Sequence, residues 1–210
     1  MSGKFITVEG VEGVGKSTNI QFIVEQLRSF NFSSITTREP GGTDVAEAIR
    51  NILVTPADEK FDEMTELLLM FAARVQHVEL KIKPALSQGD WVICDRFTDS
   101  SFAYQGGGRQ LNMDLISELE KISLGNFQPD LTLLLDMPVE VGLERAAARG
   151  EADRFEQEQV EFFVRVREVF LARAAAYSDR FRVVDAAQPL EAVQNQIGEI
   201  LNKFVRDQQS

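Results

Sequence analysis

Five short apolar runs rich in β-branched residues punctuate the chain: Lys4–Val8, Ser34–Thr37, Trp91–Cys94, Leu131–Leu135 and Phe181–Val184. Their length and continuity read as buried strands. Between them the spacing turns helical. Ile20, Phe22, Ile23, Leu27 and Phe30 recur on one face after the first run. Helices are further predicted over Asp44–Leu53 and about Glu63–Leu86, and Phe162, Phe163, Val166, Val169 and Phe170 form an apolar stripe that is core or subunit seam. Alternation of this kind predicts an α/β fold, a five-stranded parallel sheet covered by helices on both faces. Ligands of such sheets collect at the carboxyl ends of the strands. The residues there are Glu9, Arg38, Asp95, Asp136 and Asp185.

The first of those ends carries the strongest signal. Gly10, Val11, Glu12, Gly13, Val14, Gly15, Lys16, Ser17 and Thr18 fit the pattern G-x-x-x-x-G-K-S/T in full. Glycines let successive backbone N–H groups turn toward a phosphate, and the following helix adds its own free N–H groups. Lys16 is expected on the β- and γ-phosphates and Ser17 on Mg²⁺. A strand before and a helix after make this a nucleoside triphosphate site rather than a chance turn. No Asn-Lys-x-Asp occurs to read guanine. Asp95, after the third run, is placed to hold Mg²⁺ through water or to orient the attacking group, and Arg96 puts a cation beside the transferred phosphate.

Charge narrows the class. The 210 residues carry a net charge of −11, with 33 acidic against 22 basic side chains. No basic face for nucleic acid is evident in those proportions. A phosphate ligand must be held by a few concentrated cations. Arg38 opens the segment Thr36–Thr43 (TTREPGGT), where Pro40 calls for an extended approach and Thr43 suits an N-cap. The segment is either a capped loop or a clamp for a second phosphate, and two phosphates would mean a donor and an acceptor. Phe71 and Arg74 share a helix face at i, i+3, and Ser101, Tyr104 and Gln105 share another. Such groups can stack on a base and read its edge, although Phe71 taken alone would be ordinary core.

The set GVEGVGKS, REPGGT, DRFTDSSFAYQGGGR and RGEADRFE closely resembles the bacterial thymidylate kinases, in order and along nearly the whole chain. The resemblance implies a nucleoside-monophosphate-kinase fold and the reaction ATP + dTMP → ADP + dTDP, a step toward dTTP, with Mg²⁺ and usually in a homodimer. It implies ATP on Gly10–Thr18, the dTMP phosphate on Arg38 and Arg96, and thymine stacked on Phe71. Arg74, Ser101 and Gln105 would read the polar edge of the base. Tyr104 would crowd the 2′ position, Glu12 would take the 3′-hydroxyl, and adenine would rest near Ala186–Gln188. The residues alone leave open a kinase for another nucleotide or nucleoside, or an ATP-dependent switch.

The charged segment 145–159 has few core residues and reads as a mobile lid carrying Arg149 and Arg154 as further catalytic cations. The chain reads as one domain, residues 1–210, that includes this lid segment and has no long linker or repeat. No run is long enough to span a bilayer and the start lacks a secretory pattern, so a cytoplasmic enzyme without a membrane partner is expected. The single Cys94 reads as core, and His77, the only histidine, as a packed or surface residue rather than a catalytic one.

Overall fold

The strands form where the apolar runs stand. The structure, a computed structural model, describes residues 3–56, 58–148 and 154–209. β1 (Phe5–Glu9), β2 (Ser34–Arg38), β3 (Trp91–Asp95), β4 (Leu131–Asp136) and β5 (Phe181–Asp185) make one parallel sheet in the order β2-β3-β1-β4-β5. Each strand ends one residue beyond its apolar run, on Glu9, Arg38, Asp95, Asp136 or Asp185. The reason is the backbone ladder, which pairs Val8 and Arg38 with Asp95, and Asp136 with Asp185, whatever the side chains are. The polar ends are therefore part of the rigid sheet.

Period-two alternation sorts the central strands between two cores. Ile6, Val8, Trp91 and Ile93 enter the larger one, where α1 (Lys16–Ser29) meets the C-terminal helix. Phe5, Val92 and Cys94 enter a second one with Val78, Ile82 and Phe97. Thr7 and Thr132 interrupt this apolar pattern at full burial, and their hydroxyls satisfy one another at 2.9 Å.

The helices follow as α2 (Asp44–Val54), α3 (Glu63–His77), α4 (Lys83–Ser87), α5 (Thr98–Ser101), α6 (Met113–Leu124), α7 (Val139–Ala147), α8 (Val160–Ala176) and α9 (Leu190–Gln209). Thr43 caps α2, accepting from the Ala46 N–H at 3.4 Å, as its type suggested. The long helix expected from about residue 63 does run to Ser87, but with a π-helical turn at Val78–Ile82 between α3 and α4. Pro84 follows that turn at once; lacking an N–H, it cannot close the ordinary ladder. A second π-helical stretch, Phe102–Gly108, extends α5 and lies against α8. A Cβ on Gly108 would stand 2.3 Å from the Phe162 ring, so glycine permits this contact. The stripe of α8 is thus core: Phe162, Phe163, Val166 and Phe170 are all buried. No helix among the described residues is long and apolar enough to cross a membrane.

Asp99 in α5 pins these layers together. It is fully buried and receives Arg173 Nε at 2.6 Å, and Arg180 Nη1 and Nη2 at 2.7 and 2.9 Å. Removing the carboxylate strands two largely buried guanidiniums. Asp99→Ala is expected to cost about 3 kcal/mol or more in urea unfolding; a loss below about 1 kcal/mol would show that the arginines find other acceptors.

Candidate active site

β1 is the central strand, and the chain leaves its carboxyl end toward β2 on one side and reaches β4 on the other only after β3. Residues 10–15 fill the crevice so formed. Val11 and Val14 anchor the loop in the core. Gly13 has φ +76°, and a Cβ there would lie 1.8 Å from the Gly142 carbonyl oxygen, so the loop rests directly on the backbone of α7. Gly15, at φ +85°, opens α1. Lys16 is buried and curls back, its Nζ donating to the Gly10 and Val11 carbonyls at 3.3 and 3.2 Å. Burial, and the nearby positive charge of Arg96, lower its pKa from the ordinary lysine value. Ser17 lines the same cleft as Asp95, whereas the adjacent Thr18 does not line it.

Arg96 ties this loop to β3. Its backbone takes φ +69°, uncommon for a side chain of this size, while its N–H donates to the Val8 carbonyl. The guanidinium donates to the Gly10 carbonyl at 2.9 Å, to Ser100 Oγ at 3.3 Å and to Glu12 Oε1 at 2.5 Å. It also lies 4.7 Å over the Tyr104 ring, and Tyr104 donates its hydroxyl to the same Glu12 oxygen at 3.0 Å. Burial works against the charge of Arg96, but Glu12, Tyr104, Asp95 and Glu9 together outweigh it and hold its pKa above the ordinary arginine value. Asp95 Oδ1, at the neighbouring position, is buried with no hydrogen-bond partner among the described residues. An orphaned carboxylate oxygen beside Ser17 fits a divalent cation held directly or through water.

Beyond the loop lies a second cavity, walled by Met70, Val54, Phe97 and Phe155 beside a few polar side chains. Arg74, Ser101, Tyr104 and Gln105 all line it, although the last two stand on the π-helical stretch rather than a regular helix face. Arg74 is fixed on three sides: Nε donates to Glu39 at 2.6 Å, Nη1 to Ser101 Oγ at 3.0 Å and Nη2 to the Phe97 carbonyl at 3.2 Å. Phe71 requires a correction. It packs with Leu67, Phe102 and Ile116 beneath Arg74, while Met70, one residue earlier and i, i+4 from Arg74, lines the cavity. The helix turns about 100° per residue, and that turn gives Met70 the cavity side.

The cleft and the cavity share Glu12, Glu39, Arg50 and Arg96 as a common wall. Arg38 lines the cleft from the end of β2, its Nη2 paired with Glu47 at 2.9 Å. Arg50 of α2 was not singled out in the sequence; it reaches the wall while donating to the Pro40 carbonyl at 3.0 Å. Glu39 was likewise passed over, yet its buried carboxylate bridges Arg74 and His77. His77 is wholly buried, with Nε2 2.6 Å from Thr37 Oγ1. The Glu39–Pro40 peptide is cis. Arg154 also stands apart from its expected place. It lies outside the cleft, with Nε on the Leu53 carbonyl at 2.7 Å and Nη2 on Glu66 at 2.7 Å. Arg149 lies outside the described residues. Near the proposed adenine loop, Arg145 Nη1 donates to the Ala186 carbonyl at 3.3 Å.

A phosphate-binding loop at the switch point of a parallel sheet, facing a second cavity across a shared wall of charged side chains, defines a phosphotransferase of the P-loop nucleoside-monophosphate-kinase fold. The comparisons narrow the class. The family model described as thymidylate kinase matches residues 8–197. Thymidylate kinase of Pseudomonas fluorescens is 56% identical over 205 residues, 98% of each chain. That of Alcanivorax borkumensis is 52% identical over 204 residues, 97% of this chain and 98% of its own. A crystal structure of thymidylate kinase from Ehrlichia chaffeensis superposes with a TM-score of 0.78 at 32% identity, over 96% of this chain and 99% of that one. The chain belongs to the thymidylate kinase family and is an enzyme, a kinase.

Glu9, beneath the loop, gives the site a pH signature. Its oxygens accept from the Phe97 N–H at 2.7 Å and Ser100 Oγ at 2.6 Å. Burial, and then the charge of Asp99, raise its pKa to about 7 despite those bonds and Arg96. An acid whose folded pKa is raised loses stability as pH climbs from its unfolded value toward the folded one. Relative to Glu9→Gln, wild-type stability is therefore expected to fall between about pH 4.5 and pH 7, by a few kcal/mol at most. Urea unfolding at pH 5 and pH 8 checks this, and a constant difference would refute it.

Proposed function

We propose that the two halves of the site divide the thymidylate kinase reaction, ATP + dTMP → ADP + dTDP, between them, with ATP on Gly10–Thr18 and dTMP in the cavity of Arg74 and Gln105. The observation that carries this reading is the shared wall: Arg50 and Arg96 face both spaces, so a donor phosphate and an acceptor phosphate there would meet across the same cations. Arg38, at the edge of the cleft, completes the clamp. Transfer of a phosphoryl group needs positioning and charge stabilisation more than proton chemistry. Lys16, Arg96 and Arg38 supply the charge, and Asp95 is placed to orient the attacking group.

Mg²⁺ is the metal the donor set favours: Ser17 and Asp95 would hold it together with phosphate oxygens and water. Bound there, it would neutralise part of the charge on the transferred group. Arg145 and the loop 186–188 offer a place for adenine. Segment 145–159 acts as the lid, and Arg154 reaches the phosphates only after leaving Glu66. In the cavity, Arg74, Ser101 and Gln105 read the base over Met70. Glu12 and Tyr104, already hydrogen-bonded to each other, define the sugar. ATP and dTMP are cytoplasmic solutes, and the enzyme works among them. Exposed Ile52, Leu68 and Ile122, on helices α2, α3 and α6 that lie side by side, suit a homodimer seam.

A panel of nucleoside monophosphates with ATP, coupled to ADP release, tests the base assignment. Uracil keeps the polar edge of thymine and lacks one methyl, so dUMP should react with kcat/KM lower by roughly 10–200-fold. Cytosine presents an amine to Arg74, so dCMP should react far less. Equal rates for dCMP and dTMP would overturn the assignment.

The sugar assignment has its own test. Glu12→Ala also deprives Arg96 of a partner, so the useful readout is a ratio. Wild type should prefer dTMP over its 3′-deoxy analogue by about 1–3 kcal/mol in binding, and Glu12→Ala should erase that preference. Isothermal titration with both nucleotides measures it, and an undiminished preference in the variant would give Glu12 another task.

A further inference from the structure

We infer that Glu66 sets the orientation of the Gln105 amide and so makes the cavity select a pyrimidine that carries an N3–H; this rests on the base-reading role proposed for Gln105. Glu66 stands in α3, one turn before Met70, and is 1% exposed. A carboxylate buried so deeply needs donors on both oxygens. It receives Gln105 Nε2 at 2.9 Å and Arg109 Nε at 3.3 Å on Oε1, and Arg109 Nη2 at 3.3 Å and Arg154 Nη2 at 2.7 Å on Oε2. Both oxygens accept from guanidinium N–H groups, so Glu66 offers Gln105 lone pairs only.

That settles which end of the amide goes where. The nitrogen and oxygen of glutamine are nearly equal in shape, so packing alone does not choose between them. Turned the other way, Gln105 would set its carbonyl oxygen against a carboxylate oxygen, two acceptors with no proton between them. The nitrogen is therefore committed to Glu66, and the carbonyl is the end left for the cavity that Gln105 lines. A carbonyl oxygen accepts from the N3–H of thymine or uracil. Against cytosine it meets an unprotonated N3, again acceptor to acceptor. Glu66 is not among the residues lining the cavity and acts through Gln105, as a positioning residue. Arg74 imposes a separate requirement at the exocyclic oxygen and remains in place when Glu66 is changed.

The test compares kcat/KM for dTMP and dCMP in wild type, Glu66→Gln, Glu66→Asp and Gln105→Ala, with Tm recorded for each. The ratio of the two substrates is unaffected by the fraction of protein that is folded. Glu66→Gln can donate as well as accept, which frees Gln105 to turn, and the dTMP:dCMP ratio should fall at least fivefold, mostly through KM. Glu66→Asp still only accepts, and should keep the ratio within fivefold of wild type even where dTMP turnover drops. A smaller fall in Glu66→Gln, or an equal fall in Glu66→Asp, overturns the inference. Gln105→Ala separates it from the reading beneath it. If that variant keeps the ratio, base reading by Gln105 fails and the inference with it; if only Glu66→Gln keeps the ratio, the inference alone fails. A dTMP-bound crystal structure of the wild type decides the matter even if the variants do not fold: Gln105 must still touch Glu66 with one end and N3 with the other.

Discussion

The site depends on one buried cation. Arg96 joins the end of β3 to the phosphate loop and to the floor of the second cavity through the Gly10 carbonyl, Glu12, Ser100 and the ring of Tyr104. Taking a guanidinium out of water is costly unless its donors are met and a counter-charge is near. Both conditions are filled by residues far apart in the chain, so the loop, the strand end and the cavity wall must come together for any of them to be stable. The positive φ of Arg96 belongs to the same constraint: it turns the side chain back across β1 instead of outward along the strand direction. Sheet geometry thus becomes site geometry without an intervening flexible element.

Carboxylates then do for the arginines what the sheet does for the loop. Glu39 fixes Arg74, Glu12 fixes Arg96, Glu66 gathers Arg109 and Arg154, and Asp99 gathers Arg173 and Arg180. A net charge of −11 in a protein built to hold phosphates looks contradictory only if charge is averaged over the surface. Locally, each of these arginines is aimed by an acid. A long side chain with many rotamers becomes a rigid donor at the cost of one carboxylate, which is the preorganisation that charge stabilisation requires.

How much of this was legible in the sequence follows from the range of each interaction. The strands were readable because β1, β3 and β4 are buried along nearly their whole length and the edge strands β2 and β5 still carry β-branched residues, and the phosphate loop because its glycines, lysine and serine are contiguous. Strand ends were misplaced by one residue because backbone pairing extends under a polar side chain. Phe71 was named and Met70 was not because both lie within the buried stripe of α3 with Leu67, Ala73 and Arg74, and periodicity marks that stripe without telling which of its residues face the cavity. Glu39, Arg50 and Glu66 escaped for another reason. Their partners stand on other elements, as Arg154 does for Glu66 across 88 positions, and no local spacing records such a pair. A buried acid inside an apolar helical run, as Glu66 is, was the one available hint.

The pairs are not equivalent in what a phosphate can do to them. Arg38 and Glu47 form a half-exposed pair, the kind that contributes about 0–1 kcal/mol and is readily exchanged. A phosphate arriving at the cleft can take Arg38 from Glu47 at little cost. Arg96 is different, since its pair with Glu12 is largely buried and costly to break. A phosphate must therefore add to Arg96 rather than displace its partner. Three recorded bonds among the described residues use Nη1 twice and Nη2 once. The Nε–H and the second Nη2 hydrogen are what the guanidinium, with five N–H groups in all, has left to offer. Arg96 can hold the loop and the substrate at once, whereas Arg38 must choose, and that difference separates a fixed anchor from a clamp that closes on its ligand.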